Sequence, residues 1–186
     1  RRATARRSRT PQSISKKITH LAAGPNGCIV TGQDFASFIS VDSSGKPTQI
    51  KCKQGKEPVS HSSAAWTGDG MMLTGGTDGA IHLWNPKNGE RAQKIDVDTG
   101  SIQTLACFPG VADNAADLVL VGGKENNLQA ITHTGGKFKA LWTIDVGGKP
   151  RSIDLCVKTG NVLLGLKNGS IVEMPMSDDG NKLQTT

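Results

Sequence analysis

The stretch Gly75-Gly76-Thr77-Asp78 follows an apolar run, Met71 to Leu73, and precedes a second short run of alternating apolar and polar residues. Comparable signatures stand at three other places: Thr31-Gly32-Gln33-Asp34, Gly122-Gly123-Lys124-Glu125 and Gly165-Leu166-Lys167-Asn168. Successive signatures are 44, 47 and 43 residues apart. A repeat of this length is typical of propeller blades, each a four-stranded antiparallel sheet with glycines at the turn between its second and third strands. The pattern therefore predicts an all-β propeller.

The four signatures divide the chain into units. In chain order these are a basic arm at 1–17, four degenerate blades at about 18–55, 56–98, 99–147 and 148–176, and a polar tail at 177–186. Four blades are about half of the seven or so expected in a propeller of this repeat length, so two sheet edges would stay open. We therefore expect part of a larger propeller, which agrees with a first residue that is Arg rather than Met. The remaining blades would come from the same or another chain.

One position in the repeat holds a large apolar side chain. Trp84, Ile131 and Met174 each stand nine residues after the first glycine of their signature. Such a position is expected to point into the packing between neighbouring sheets. These residues are therefore predicted to be structural and not ligands.

Positive charge is concentrated at the start of the chain. The arm at 1–17 has no acidic residue and seven basic ones: Arg1, Arg2, Arg6, Arg7, Arg9, Lys16 and Lys17. Its net charge is +7, whereas the remaining 169 residues, with 15 basic and 16 acidic side chains, carry −1. A segment this basic has too few apolar residues to fold alone. We predict these seven side chains to contact a partner; the alternative is that the arm is only a solvated linker.

The cysteines do not indicate a metal site. Cys28, Cys52, Cys107 and Cys156 form no Cys-x-x-Cys pair and share no sequence cluster with the histidines, so zinc is not predicted. Their places in predicted strands suggest core thiols, which implies a reducing compartment. The chain also has no run of about 20 apolar residues and no signal-peptide pattern, so no membrane partner is expected.

Catalytic chemistry is not expected either. His61 stands beside Ser62 and Ser63, but neighbours on a strand point to opposite faces and do not build a nucleophile and base pair. The double glycines are not followed by Gly-Lys-Ser/Thr or by a predicted helix, so they are not phosphate-binding loops. No cofactor and no metal are predicted, and we interpret the protein as a non-enzyme.

Residues 75–85 (Gly-Gly-Thr-Asp-Gly-Ala-Ile-His-Leu-Trp-Asn) resemble the stretch that ends in Trp-Asp in the WD40 repeat proteins, with Asn at the last position. The resemblance implies a WD40-type β-propeller in which Asp78 and Trp84 have structural roles. In that family, a Gly-His pair before the first strand supplies a histidine that bonds to the Asp. Gly55-Lys56 and Gly148-Lys149 stand at roughly that place here. We therefore expect Asp78 to lack its histidine partner.

Within the WD40 proteins, the atypical blades resemble the echinoderm microtubule-associated-protein-like (EMAP-like) family of tandem propellers. The stretches that carry this resemblance are 100–105 with 120–123 behind it, and 151–155 followed by 162–173. The resemblance covers about residues 59–174. It implies a cytoskeletal protein that binds tubulin or microtubules, including those of cilia, and a location in the cytoplasm, the cytoskeleton and the ciliary axoneme.

Three functions fit these features. The first is a microtubule-associated propeller whose arm meets the acidic surface and tails of tubulin. The second is a general protein–protein interaction scaffold in which the arm is a linker. The third is an RNA-associated propeller. Nucleic acid is the less favoured partner, because its readers usually interleave stacking aromatics with charge, whereas the arm has no aromatic residue and the whole chain has no Tyr.

Overall fold

The computed structural model describes residues 16–24, 27–156 and 158–176. Within these ranges the strands form four antiparallel sheets. The first sheet contains β1 (Ile18–Gly24), β2 (Gly27–Gly32), β3 (Phe35–Val41) and β4 (Pro47–Lys51), and the second contains β5 (His61–Trp66), β6 (Met72–Gly76), β7 (Ala80–Trp84) and β8 (Arg91–Asp96). The third contains β9 (Ile102–Ala112), β10 (Ala116–Gly123), β11 (Asn127–Thr134) and β12 (Lys137–Asp145), and the fourth contains β13 (Pro150–Cys156), β14 (Asn161–Leu166) and β15 (Ile171–Pro175).

Each sheet is a meander, in which strands adjacent in sequence are also hydrogen-bonded neighbours. The first strands of successive sheets, β1, β5, β9 and β13, contact one another along the series. This places them on the inner side of the arc, with the later strands of each sheet further out. The predicted all-β fold of WD40-type propeller blades is confirmed.

The turns lie at two opposite ends of the blades. Because the strands are antiparallel, the first-to-second and third-to-fourth turns share one end, here named the a–b rim, and the second-to-third turns share the other, the b–c rim. The second strands of the first three sheets end at Gly32, Gly76 and Gly123. The signatures therefore lead into the turns of the b–c rim, as predicted. One of these turns needs the left-handed backbone of Gly79, with φ 76°, which costs glycine little.

Apolar side chains fill the spaces between neighbouring sheets. The space between the first and second sheets contains Ile29, Ala36, Phe38, Cys52, Ala64, Met72 and Trp84. Comparable groups lie between the second and third sheets and between the third and fourth. Full burial of one large apolar side chain contributes about 1.5–3 kcal/mol. Packing between neighbouring sheets therefore stabilises each blade, on both faces of the second and third sheets and on one face of the first and fourth.

The recurring large residue occupies the same place in three blades. Trp84, Ile131 and Met174 are 0%, 3% and 6% exposed. Each lies in the core between its own sheet and the preceding one. The nine-residue spacing after the glycine thus places one large side chain in each of these interfaces.

Hydrogen bonds between the inner strands add a second link from blade to blade. The Thr19 hydroxyl on β1 donates to the carbonyl oxygen of His61 on β5 at 2.6 Å. The Ser62 hydroxyl on β5 donates in turn to the carbonyl oxygen of Ile102 on β9, also at 2.6 Å. Thr19 and Ser62 are each the second residue of their strand, so the link repeats at equivalent positions. The link fixes the position of one blade relative to the next along the strand direction.

The cysteines differ from their predicted setting. Cys52 is buried and Cys107 packs against the core between the second and third sheets, but Cys28 and Cys156 are half-buried outside the cores, so the interpretation as core thiols is wrong for these two. The reason is that Cys28 shares its face of the first sheet with Leu21, away from the second sheet, while Cys156 ends β13 beside a turn. All four thiols are free. Burial raises the pKa of the Cys52 and Cys107 thiols to about 12.

Replacing Gly123 by Ala is expected to lower the free energy of unfolding by about 1–3 kcal/mol, because the new methyl group overpacks the turn. Its Cβ would overlap the backbone carbonyl of Thr99, which cannot move aside as a flexible side chain can. Urea denaturation of the Gly123→Ala protein checks this. Lys124→Ala, at the exposed neighbouring position, is the control and should change stability by less than about 0.5 kcal/mol. Equal midpoints for the two variants would contradict the expectation.

Candidate functional site

Four side chains of the second blade form a continuous series of contacts from the b–c rim into the core. The Trp84 indole Nε1 donates to Thr74 Oγ1 at 2.8 Å. The His82 ring stacks on Trp84 with centroids 5.7 Å apart, and His82 Nε2 lies 3.2 Å from Asp78 Oδ1. The pairing register explains the arrangement, since Thr74 stands opposite His82 and Trp84 is two residues further along the same strand.

Asp78 has a histidine partner after all. The WD40 pattern places the histidine partner of this Asp before the first strand, where this chain has lysine. His82, four residues after Asp78, supplies the bond instead. Asp78 also pairs with Lys94 across the sheet, with 3.1 Å between Oδ2 and Nζ. These partners hold the pKa of Asp78 below its usual value against the opposing effect of burial. The turn is therefore fixed by a local substitute for the usual contact.

His61 completes the cluster and is almost fully buried. It is 1% exposed, and its ring meets those of His82 and Trp84 edge-on at 5.0 and 5.9 Å. Neither ring nitrogen of His61 has a hydrogen-bond partner among the described residues. Burial is the main cause that lowers its pKa, to about 3, and burial also lowers the pKa of His82. Both rings are therefore neutral at neutral pH and pack the interior of the blade, while Asp78 reaches the surface, where it pairs with Lys94.

The predicted partner-contacting residues are only partly within the described chain. Arg1, Arg2, Arg6, Arg7 and Arg9 lie outside it, as does the polar tail. Lys16 and Lys17 lie at the b–c rim of the first blade, where the Lys16 ammonium donates to the Asp34 carbonyl at 3.4 Å. The carbonyl of Lys17 accepts from the Gln33 amide at 3.2 Å. The arm thus joins the sheets at the b–c rim, and the structure does not bring these lysines to the second-blade cluster.

Sequence reasoning missed a buried acid at the opposite rim. Asp117 near the start of β10 is 6% exposed, and its Oδ2 accepts from the Gly68 amide at 2.8 Å and lies 3.1 Å from His133 Nδ1. Gly68 belongs to the second blade, whereas Asp117 and His133 belong to the third. The available signal was a single charged residue at the head of the apolar strand 116–123. A carboxylate in such a strand needs buried partners.

A cleft at the b–c rim carries side chains of both charges. It has a volume of about 460 Å³ and contains Lys124, Glu125, Asn126, Asn127, Asp145 and Lys149. Asn127 Nδ2 donates to the Asp98 carbonyl at 2.6 Å, which ties this turn to the loop that enters the blade.

Across the described ranges, no cluster of three or more His, Cys, Asp or Glu side chains is arranged to hold a metal ion. The same ranges contain no helix with the length and apolar character needed to cross a membrane.

The meandering sheets, the glycine turns and the buried Trp84 define the class as WD40-type β-propeller blades. No protein-family model matches the chain. Over 136 residues the chain is 32% identical to the "Ciliary WD repeat-containing protein ctxp80" of Euplotoides octocarinatus. The matched segment is 73% of this chain and 17% of that relative, so the chain spans well under two thirds of the relative's length. The fold and this similarity together support a WD40 protein.

Proposed function

We propose that the chain is part of a non-enzymatic cytoskeletal protein of the EMAP-like kind, which binds microtubules or tubulin in cilia through its propeller and its basic arm. The observation that carries the proposal is the similarity to a WD repeat protein whose name calls it ciliary. The charge of the arm, +7 over residues 1–17, supplies the attraction to an acidic partner. The described sheets supply a rigid protein-binding surface.

The position of Lys16 and Lys17 favours contact at one end of the propeller. Both residues are exposed and stand where the chain enters β1 at the b–c rim. Lys16 also lies over the Phe35 ring at 5.7 Å from its centroid, which fixes the base of the arm. An acidic filament surface attracted by the arm would therefore approach the b–c rim. The attraction acts over a Debye length of about 8 Å at physiological salt.

Further blades of the same or another chain would complete the propeller. Leu21 and Val41 are 58% and 63% exposed, and Ile171 is 79% exposed. By strand alternation, Leu21 and Val41 are on the face of the first sheet away from the second, and Ile171 is on the face of the fourth sheet away from the third. Both open faces are expected to be covered in the assembled propeller, because neighbouring blades bury both faces of the second and third sheets.

Co-sedimentation with stabilised microtubules tests the proposal. The intact protein is expected to pellet with microtubules, and its apparent affinity should fall roughly tenfold as salt rises from about 50 to 200 mM, because the arm acts electrostatically. A variant with all seven basic residues of 1–17 changed to Gln should show a similar loss at low salt. Removal of the tail 177–186 is the matched control and should leave binding unchanged.

Two results would redirect the proposal. Binding that survives both high salt and loss of the seven charges would place the contact on the propeller surface instead of the arm. An absence of pelleting under every condition would contradict microtubule binding and favour the second candidate, a general protein–protein interaction scaffold. The near-neutral charge of residues 18–186, a net −1, is the observation that favours that candidate, because this part of the chain has no net positive charge to attract an acidic filament.

A further inference from the structure

A cleft at the a–b rim lies between the second and third blades, at the opposite end of the sheets from the arm. It has a volume of about 450 Å³, within the usual range for ligand sites. Its polar lining comes from Asp69 in the second blade and from Asp117, His133 and Thr134 in the third. No Lys or Arg lines it. We name this feature the Asp117 cleft.

The hydrogen bonds within the cleft set its chemical character. Asp117 Oδ2 accepts from the Gly68 amide and faces His133 Nδ1, so the proton of a neutral His133 ring belongs on Nδ1 and its Nε2 is an acceptor. His133 is 2% exposed, and its Nε2 has no hydrogen-bond partner among the described residues. Asp117 Oδ1 accepts no hydrogen bond within the same part of the chain. The lining therefore contains hydrogen-bond acceptors that have no donor, and two of its side chains are carboxylates.

The backbone leaves room for a side chain to enter. Gly110 and Gly135 line the cleft, and a Cβ added at either would meet no atom within 4 Å. Gly68 is different, since a Cβ there would lie 2.7 Å from Asp117 Oδ1. Glycine at 68 thus permits the close approach that buries Asp117, while the other two glycines keep the entrance open. Asp69 is exposed at this entrance, where it would meet an incoming group first.

We propose that the Asp117 cleft binds an arginine side chain of a partner protein. A guanidinium has five N–H donors and no acceptor, and it is always charged. It therefore matches a site that presents acceptors and negative charge and lacks basic side chains. Asp69 would pair with the guanidinium at the entrance, while Asp117 Oδ1 would accept from one of its inner N–H groups. The proposal does not depend on microtubule binding, because it concerns the other rim and the opposite sign of charge.

The competing interpretation is that Asp117 only fastens the two blades together. In that case its bonds to Gly68 and His133 explain its burial completely, and Asp69 has no partner to bind. The two interpretations differ at Asp69, because its side chain is exposed and bonds within its own turn, to the Thr67 hydroxyl. Asp69→Asn preserves an acceptor for that hydroxyl and removes only the charge. The variant is therefore expected to fold and to report on ligand binding alone.

The test is an NMR titration of the intact protein with a capped Gly-Arg-Gly peptide. The peptide is expected to shift the Gly68 and Gly110 amide signals and the His133 ring signals, whereas the same peptide with citrulline, which is uncharged, should not. Asp69→Asn should weaken binding about tenfold, the effect of one charge-assisted hydrogen bond. Asp96→Asn, at a side chain 86% exposed on the second blade and away from the cleft, removes the same charge and should change affinity less than twofold.

Three results would overturn the proposal. Equal shifts with the arginine and citrulline peptides would show that charge recognition is absent. Equal affinities for Asp69→Asn and Asp96→Asn would show only a general attraction to the protein surface. Binding that appears only after residues 1–15 are removed would assign the cleft to the chain's own arm and not to a partner.

Discussion

The free energy of unfolding is expected to fall by about 1.4 kcal/mol for each pH unit below 6.5 through His61 alone. Burial lowers the pKa of His61 to about 3 in the folded protein, whereas the unfolded chain takes up a proton near pH 6.5. Between these values the unfolded state binds a proton that the folded state excludes. The contribution is therefore fully present above pH 6.5 and is lost as pH falls toward 3. At pH 5 the loss is roughly 2 kcal/mol, and His82, whose pKa is also lowered, acts in the same direction.

Urea denaturation between pH 7.5 and 4.5 measures this dependence. The His61→Leu protein, with a side chain of similar size and no titrating group, should lose less stability on acidification than the parent. The difference between the two profiles should grow by about 1.4 kcal/mol per pH unit. The other titrating groups are shared and cancel in this difference, except His82, whose ring contacts His61. Parallel profiles would show that His61 does not exclude the proton and that the rings of the cluster are more hydrated than their burial indicates.

Truncation of Trp84 is expected to cost about 3–5 kcal/mol of stability, because the change removes a large buried side chain and leaves a cavity. Trp84 is 0% exposed and contacts both the first-to-second sheet core and the rings of His61 and His82. Small domains are often stable by only 5–15 kcal/mol, so the loss is a large share of the total stability. Denaturant titration followed by circular dichroism measures the loss.

Two further variants separate the causes of the Trp84 effect. Ile171→Ala removes an apolar side chain that is 79% exposed and should change stability by less than about 0.5 kcal/mol. Thr74→Val keeps the packing but leaves the Trp84 N–H without its acceptor, which should cost about 1–3 kcal/mol. If Trp84→Ala were no more destabilising than Thr74→Val, the hydrogen bond and not the packing would be the main contribution of Trp84.

The blades were predictable because their signal is local. Glycines at 43–47-residue intervals mark the ends of second strands at the b–c rim, where a Cβ would overlap atoms of a neighbouring strand or blade. Apolar runs before each signature mark second strands, and those of the second and third sheets are buried on both faces. Period and alternation are properties of the sequence itself, so the sheets and the large residue between them follow from it directly.

The site contacts were less predictable because they join residues that are distant in sequence. Asp117 reaches Gly68 across 49 positions, and this contact depends on how two blades meet, which no repeat signal encodes. The third blade shows the same limit. Its first strand runs through Pro109 and Gly110 to Ala112, although proline and glycine are poorly suited to a strand interior. The extended hairpin carries those two residues over the second blade and forms one wall of the Asp117 cleft.

The partner of Asp78 was mispredicted for a different reason. The family pattern assigns the histidine to one position before the first strand, so its absence there suggested an incomplete network. His82 serves the same Asp from the third strand, at a position that alternation already turns toward Trp84. A polar contact can thus be retained while the residue that makes it moves, and a search by motif position alone overlooks such an exchange.

The two rims place the basic arm and the Asp117 cleft at opposite ends of the strands. The basic arm leaves from the b–c rim beside Gln33 and Asp34, whereas the carboxylates of Asp69 and Asp117 open at the a–b rim. A molecule built in this way can face an acidic surface with one end and a basic segment with the other. It would act as an oriented adapter, in which the rigid sheets set the distance between two oppositely charged partners and decide which partner lies on which side.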